Sequence, residues 1–353
     1  MIDYGTDRIL VTGAAGWLGQ SFLRALLHGL SDLPALARPV PGLRVRALLA
    51  PGESPAGVRA ISSEIELVEG DLRSAEDCDR FCRDARGGIL FALAGLIHPR
   101  RIAELYEVNR DGTLNSVRAA GAAGLRRAVV VSSNSPLGCN ARPDERFDEN
   151  APYRPYLNYG RSKMEMELGV REIQSKGSLQ TVVLRPTWFY GPWQPPRQTQ
   201  FFRMIRDGKA PIVGSGENRR SMSYVDNLSQ ALLLAASVPD AAGKTYWVAD
   251  EKPYSMNEIV DTVERLLETE FGQKCAHKRL RLPGIASAVA YGIDAVTQAC
   301  GGYWKEMHVL SEMNKTIACS ITRASAELGY HPSIALEEGM RRSLKWVAEN
   351  GLL

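Results

Sequence analysis

Apolar positions along the chain fall into short, nearly continuous aliphatic runs separated by longer stretches of helical period. Arg8 to Thr12 (RILVT) is the first run, Arg44 to Leu49 the second, Glu64 to Val68 the third and Gly88 to Ala94 the fourth. Ala128 to Ser132 (AVVVS) and Thr181 to Arg185 (TVVLR) follow. Runs of Val, Ile and Leu without polar alternation fit strands buried on both faces. Such strands alternating with helices predict an α/β protein with a doubly wound parallel sheet. The Pro/Gly-rich piece from Leu33 to Gly42 reads as a loop. After Pro186 the texture changes: Tyr190 to Pro196 (YGPWQPP) breaks regular structure, and Gly214-Ser215-Gly216 is a turn ahead of Arg219-Arg220.

Composition narrows the partners. The 353 residues are 44% hydrophobic and 24% charged, an ordinary globular balance, and the net charge of +3 is too small to argue for nucleic acid. Cys78 and Cys82 sit one helical turn apart, but no second pair completes a zinc pattern, so no metal is expected and the six cysteines read as reduced thiols. The first strand starts within about ten residues of Met1, which leaves no room for a leader and makes a cytoplasmic protein the expectation. Leu282 to Cys300 (LPGIASAVAYGIDAVTQAC) is apolar over nearly a spanning length, yet it carries Asp294 and Gln298. An amphipathic helix lining a second lobe is expected there rather than membrane contact; a shallow lipid-facing helix is the alternative.

The first chemical signal is glycine. Thr12-Gly13-Ala14-Ala15-Gly16-Trp17-Leu18-Gly19 lies between the first strand and an apolar-periodic helix. Glycines there let the backbone turn tightly beside a pyrophosphate, and the helix N-terminus offers N–H groups to the anion. This predicts a Rossmann-type dinucleotide site. The second strand ends Leu48-Leu49-Ala50-Pro51, with neither the acid that would hold a ribose hydroxyl nor an arginine for a 2′-phosphate. Glu53 lies just beyond it, and Arg24, Arg44 or Arg46 could serve a phosphate. The reading leans to NAD, with NADP kept open. Asp71, after the third strand, is placed to meet the adenine amino group.

The second signal is Tyr159-Gly160-Arg161-Ser162-Lys163, a phenol and an ammonium at i and i+4 and so on one helix face. A free tyrosine, with a pKa of about 10, is too weak an acid for work near neutrality; a nearby cation favours its phenolate. Upstream, the fifth strand ends in Ser132-Ser133-Asn134-Ser135, at the sheet edge where ligands bind. Ser133 is the preferred hydroxyl to donate to a substrate carbonyl oxygen, Ser135 second, with Ser132 a turn residue.

Together these motifs resemble the extended short-chain dehydrogenase/reductase family, the NAD-dependent epimerase/dehydratase group. The resemblance runs on through Tyr106-Glu107-Val108-Asn109, Leu184-Arg185-Pro186, Tyr190-Gly191-Pro192, Tyr224-Val225-Asp226-Asn227 and Leu328-Gly329-Tyr330. It implies catalysis by Ser133, Tyr159 and Lys163, with Asn109 organising the active-site backbone. Cofactor contacts are implied at Gly13, Ala15, Gly16, Trp17, Leu18, Gly19, Asp71, Leu72, Ala94, Lys163 and Pro186. The nucleotide-binding domain is expected over 1–187 plus about 221–250, and a substrate-binding lobe over about 188–220 plus 251–353. A homodimer through the helices of Tyr106 and Tyr159 is also implied.

Departures from the family pattern bear on the substrate, expected to be a small molecule. Dehydratases of nucleotide sugars carry an Asp-Glu pair where this chain has Asn134 and Ser135, so 4,6-dehydration is not expected. Arg220, five residues before Val225, stands where a diphosphate-binding arginine is found, and bidentate guanidinium–phosphate bonding gives it a reason. Ser135, Trp188 and Arg220 are the candidate substrate contacts, and an epimerase or ketoreductase of a nucleotide-linked sugar is the leading expectation. The apolar 282–300 segment and the aromatic Trp188, Phe189 and Trp193 suit the alternative, a hydroxysteroid or sterol dehydrogenase. A redox-sensing regulator that binds the dinucleotide without turnover is more remote, because such proteins lose the tyrosine or lysine and this chain keeps both.

Overall fold

The computed structural model describes residues 4–353. Six strands lie where the aliphatic runs are: β1 (Arg8–Thr12), β2 (Arg44–Leu49), β3 (Glu66–Glu69), β4 (Ile89–Ala92), β5 (Arg127–Val131) and β6 (Gln180–Pro186). Between them run α1 (Trp17–His28), the short α2 (Ala56–Arg59), α3 (Ala75–Cys82), α4 (Ala103–Leu105), a π-helical stretch at Tyr106–Gly112, α5 (Thr113–Ala122) and the long α6 (Leu157–Ser175). The fourth strand is shorter than its apolar run: Leu93 and Ala94 leave the sheet to pass close to Gly13.

After β6 the chain builds short pieces. These are β7 (Trp188–Tyr190), α7 (Pro196–Arg206), β8 (Pro211–Val213), β9 (Arg219–Arg220), β10 (Met222–Tyr224) and α8 (Val225–Ser237). Then come β11 (Thr245–Val248), β12 (Tyr254–Ser255), α9 (Met256–Thr269), β13 (Leu280–Leu282), α10 (Ile285–Ala299), α11 (Lys305–Glu312), α12 (Thr322–Leu328) and α13 (Leu336–Glu349). Of the segment of about 221–250 expected in the nucleotide-binding domain, Thr245–Val248 joins the sheet, pairing parallel with β6, whereas Met222–Tyr224 pairs with β7 in a ladder of its own.

The sheet is parallel throughout and runs β11-β6-β5-β4-β1-β2-β3. Its order reverses between β1 and β4, the place where parallel sheets open a crevice at their carboxyl ends. Each face is covered by its own apolar layer. Val11, Phe22, Phe91, Val129 and Trp247 belong to one; Leu10, Phe81, Leu90, Val130 and Val170 belong to the other. A third cluster, with Phe202, Tyr224, Val260 and Leu344, holds α7, α9 and α13 together beyond the sheet edge.

The helix over the 282–300 segment is α10, and it turns its polar side inward and its apolar side out. Its buried residues are Ser287, Ala290, Asp294 and Gln298, so the inward stripe is polar. Ile285, Val289, Tyr291, Ile293 and Val296 face outward. No helix among the described residues is long and apolar enough to cross a membrane.

Candidate active site

At the switch point the glycine loop leaves β1 and enters α1. Gly13 has φ of +68°, and a Cβ there would stand 2.6 Å from the Ala94 nitrogen. At Gly19 a Cβ would lie 2.1 Å from the Gly13 carbonyl oxygen, so the helix can seat against the loop only without a side chain. Gly16 is the N-cap of α1 and supplies no side-chain cap, which leaves the first-turn N–H groups for an anion. Ala15 accepts from Gln20, Trp17 donates its indole N–H to Pro192 O at 2.7 Å, and Leu18 is buried under the turn. The tight turn, the bare helix terminus and the close approach to Ala94 fit a dinucleotide pyrophosphate.

Residues weighed for the adenosine end separate clearly. Arg44 pairs with Asp7; Arg46 pairs with Glu66 and donates to the Phe81 and Arg83 carbonyls. Neither is free to clamp a 2′-phosphate. Arg24 stacks on Trp193, 4.2 Å from the ring centroid, and Glu53 closes a turn by accepting from Ala50 N. Asp71 is held by Arg73, whose guanidinium lies across both carboxylate oxygens and keeps the carboxyl below its usual range. Leu72 packs beside Gly112, and its carbonyl accepts from Asn115.

Across the crevice, α6 carries Tyr159 and Lys163. Burial pushes the Tyr159 phenol up, the Ser133 hydroxyl pulls it back by hydrogen bonding, Glu312 raises it and Arg197 lowers it. Lys163 is buried, donates to the Val131 carbonyl at 3.1 Å, and is driven down to about 8 by desolvation, with Glu167 opposing. Its ammonium lies 3.4 Å from where a Gly95 Cβ would stand, on the β4 side of the crevice. Pro186 ends β6 two strands from β4.

The three serines take different roles. Ser132 donates to Glu167 at 2.5 Å and so faces the helix behind the site. Ser133 faces Tyr159, and its hydroxyl lies 3.3 Å from that of Ser135. Glu167 also receives the buried Arg185 guanidinium at 2.6 Å and the Tyr153 hydroxyl at 2.7 Å. This cluster fastens α6 to β5 and β6. Asn109, in the π-helical stretch, grips the strand β4 exit from both sides: its Oδ1 accepts from Leu96 N at 2.7 Å and its Nδ2 donates to Leu96 O at 2.8 Å. A π-turn widens a helix by one residue, and such turns gather at functional sites.

On the substrate side Arg220 donates to the main-chain oxygen of Glu312, and its Nε is buried without a partner. The expected aromatic wall is divided. Trp188 tilts against Phe201 in the outer cluster, Phe189 meets Trp17, and Trp193 lies under Arg24. Sequence reasoning missed Glu312 and Arg197, which act on Tyr159, and the His98–Tyr303 pair, which neighbours Arg197. The His98 ring bonds the Tyr303 hydroxyl at 2.8 Å; burial drives its imidazole down to about 4, with repulsion from Arg197 and Lys305 adding.

The hairpin of α10 and α11 roofs this corner. Gln298 accepts from the Asn158 side chain at 2.9 Å and donates to Asp294 at 2.9 Å, and Asp294 holds the His308 ring at 2.7 Å. Tyr156 and Ser311 share a hydroxyl bond of 2.7 Å. The helix that carries Tyr159 is thereby tied to the hairpin one residue away.

A seven-stranded Rossmann-type sheet with this crevice defines an NAD-linked oxidoreductase class. Over residues 9–249 the chain matches the model of the NAD dependent epimerase/dehydratase family, and it belongs to that family. It is 49% identical over 351 residues to the Sinorhizobium fredii protein y4nL, covering 99% of this chain and 98% of that one. It is 25% identical over 283 residues to the N-acetyl-alpha-D-glucosaminyl-diphospho-ditrans,octacis-undecaprenol 4-epimerase of Escherichia coli O157:H7, covering 78% of this chain and 82% of the relative. The fold is shared with the dTDP-glucose 4,6-dehydratase DesIV of Streptomyces venezuelae, crystallised with NAD, at a TM-score of 0.75 and 23% identity over 97% of each chain.

Proposed function

We propose that the protein transfers hydride between NAD and a secondary alcohol or ketone, with Tyr159 moving the hydroxyl proton. The observation that carries this reading is the approach of Ser133 to the Tyr159 phenol, with Lys163 buried one turn further along the same helix. Bound NAD supplies the hydride acceptor, nicotinamide C4. Tyr159 takes the proton of the reacting hydroxyl, and the Ser133 hydroxyl donates to the oxygen as it becomes a carbonyl. Lys163 holds the nicotinamide ribose, and its charge favours the Tyr159 phenolate. Asn109 fixes the Leu96 backbone beside them.

A sugar linked to a diphosphate is the substrate class we favour. Support comes from Arg220, whose unpartnered Nε asks for an acceptor at the rim of the site. The E. coli relative is named for a sugar carried on a diphosphate. With Asn134 and Ser135 in place of an acidic pair, epimerisation or keto reduction is the chemistry, not 4,6-dehydration. A second reading, an apolar alcohol, is favoured by the outward apolar face of α10 next to the catalytic helix.

The test is to denature purified protein and identify the nucleotide it releases, then to offer UDP- and dTDP-sugars and follow reduced cofactor by its near-ultraviolet absorbance. Retained NAD, with a nucleotide sugar either epimerised or oxidised as the cofactor is reduced, in wild type and not in Tyr159→Phe, is the expected result. Released NADP, or reduction with sterols alone, would overturn the cofactor or the substrate assignment respectively.

A further inference from the structure

Surface helices ordinarily turn apolar residues inward and polar residues out. The α10 helix does the opposite. Ser287, Ala290, Asp294 and Gln298 recur at intervals of three or four residues and are buried, Ser287 and Asp294 against α11 and Gln298 against Asn158. Opposite them Ile285, Val289 and Val296 stand 71%, 56% and 66% exposed, with Gly292 and Ala299 completing the same stripe. Trp304 and Val309 extend the patch onto the next helix. No charged side chain of α10 faces water, since its one ionisable residue, Asp294, is buried against His308. An apolar stripe this continuous marks a contact surface.

Charge decides the kind of partner. Arg281 lies just before the helix, and Arg100, Arg101 and Lys305 gather at its far end, where Ile102 N bonds Gly301 O. All four are exposed. Glu306 is an exposed carboxylate of the hairpin and Glu104 pairs with Arg101, which still leaves the four cations in excess. A two-fold pairing of this face with a second copy would set one basic end against the other, which repels. An anionic bilayer meets both ends favourably, and an amphipathic helix lying in the headgroup plane has this composition: aliphatic and aromatic below, basic at the margin.

We propose that the α10–α11 hairpin docks on an anionic lipid surface, with Ile285, Val289, Val296 and Trp304 entering the headgroup layer and Arg281, Arg100, Arg101 and Lys305 meeting lipid phosphates. Docking is peripheral, since α10 has 15 residues and does not span. It places the catalytic helix beside the membrane surface through the Asn158–Gln298 bond. The inference goes beyond the proposed reaction and needs no turnover to be tested.

The experiment is flotation of the full chain with vesicles of phosphatidylcholine alone or mixed equally with phosphatidylglycerol. Wild type is expected to float with the mixed vesicles, and added salt should weaken it. Val289→Glu/Val296→Glu should lower the bound fraction by about tenfold, while Leu168→Glu, on an exposed face of α6, should not. NAD binding and thermal midpoint, measured on each variant, distinguish lost docking from lost fold. No flotation, equal flotation of the double variant, or equal flotation on neutral vesicles would overturn the proposal. So would a dimeric mass by light scattering that the double variant abolishes, which would give the face to a second copy.

Discussion

At the scale of the residue, the site is governed by what burial does to two groups. Removing the phenol in Tyr159→Phe should reduce turnover by roughly a hundred- to ten-thousandfold while leaving NAD affinity unchanged, read by steady-state kinetics beside fluorescence titration. Lys163 yields a stability prediction. Its folded pKa, about 8, lies below the unfolded value of 10.5, so the buried ammonium penalises the cofactor-free fold at every pH below about 8. The penalty fades as pH rises toward the unfolded value. Lys163→Met should therefore be more stable than wild type near pH 7 by roughly 3 kcal/mol, with the gap closing near pH 10, by urea unfolding of the cofactor-free protein. A gap independent of pH would assign it to packing instead. Tyr159 and Lys163 could be put forward from the sequence because their spacing is local, four residues on one helix. Ser133 could be ranked above Ser132, but the reason, that Ser132 belongs to Glu167, needed the fold. Glu312 and Arg197 carried no signal: each is one more surface-type charge until tertiary structure brings it near the phenol.

Elements were legible to the extent that their pattern outran their neighbours. Strands buried on both faces announce themselves as Val, Ile and Leu runs, and β1, β2 and β6 fall within a residue of those runs. The two- and three-residue strands β7 to β10, β12 and β13 are too short to show a period of two, so the outer ladders were not foreseen. For α10 the composition suggested amphipathicity but not its sense. Ser287, Asp294 and Gln298 share one face, and that spacing was the available clue. Two further tests belong to elements. Glu167→Gln leaves Arg185 buried opposite a neutral amide and should cost about 3–5 kcal/mol by urea unfolding, since it breaks a fully desolvated pair. Gly19→Ala puts a methyl 2.1 Å from the Gly13 oxygen, so the loop must move off the helix and NAD binding by titration should be lost.

For the whole molecule, the parallel sheet fixes where chemistry happens and the third apolar cluster fixes what stands over it. The homodimer implied by the family resemblance would use the surface of the Tyr106 and Tyr159 helices, and a monomeric mass at micromolar concentration would refute it. The polar underside of the hairpin has a thermal consequence. Ser287, Asp294 and His308 bond its two helices to each other, while Gln298 and Ser311 join it to the body through Asn158 and Tyr156, so lifting it breaks few bonds and exposes little hydrocarbon beyond the Tyr156 ring contacts. Exposing hydrocarbon is what gives unfolding its large heat capacity, and this movement exposes far less of it than global unfolding does. Hydrogen exchange at the amides of 285–312 should accordingly proceed through a partial opening whose free energy varies almost linearly with temperature, while the sheet beneath follows the curved profile of global unfolding.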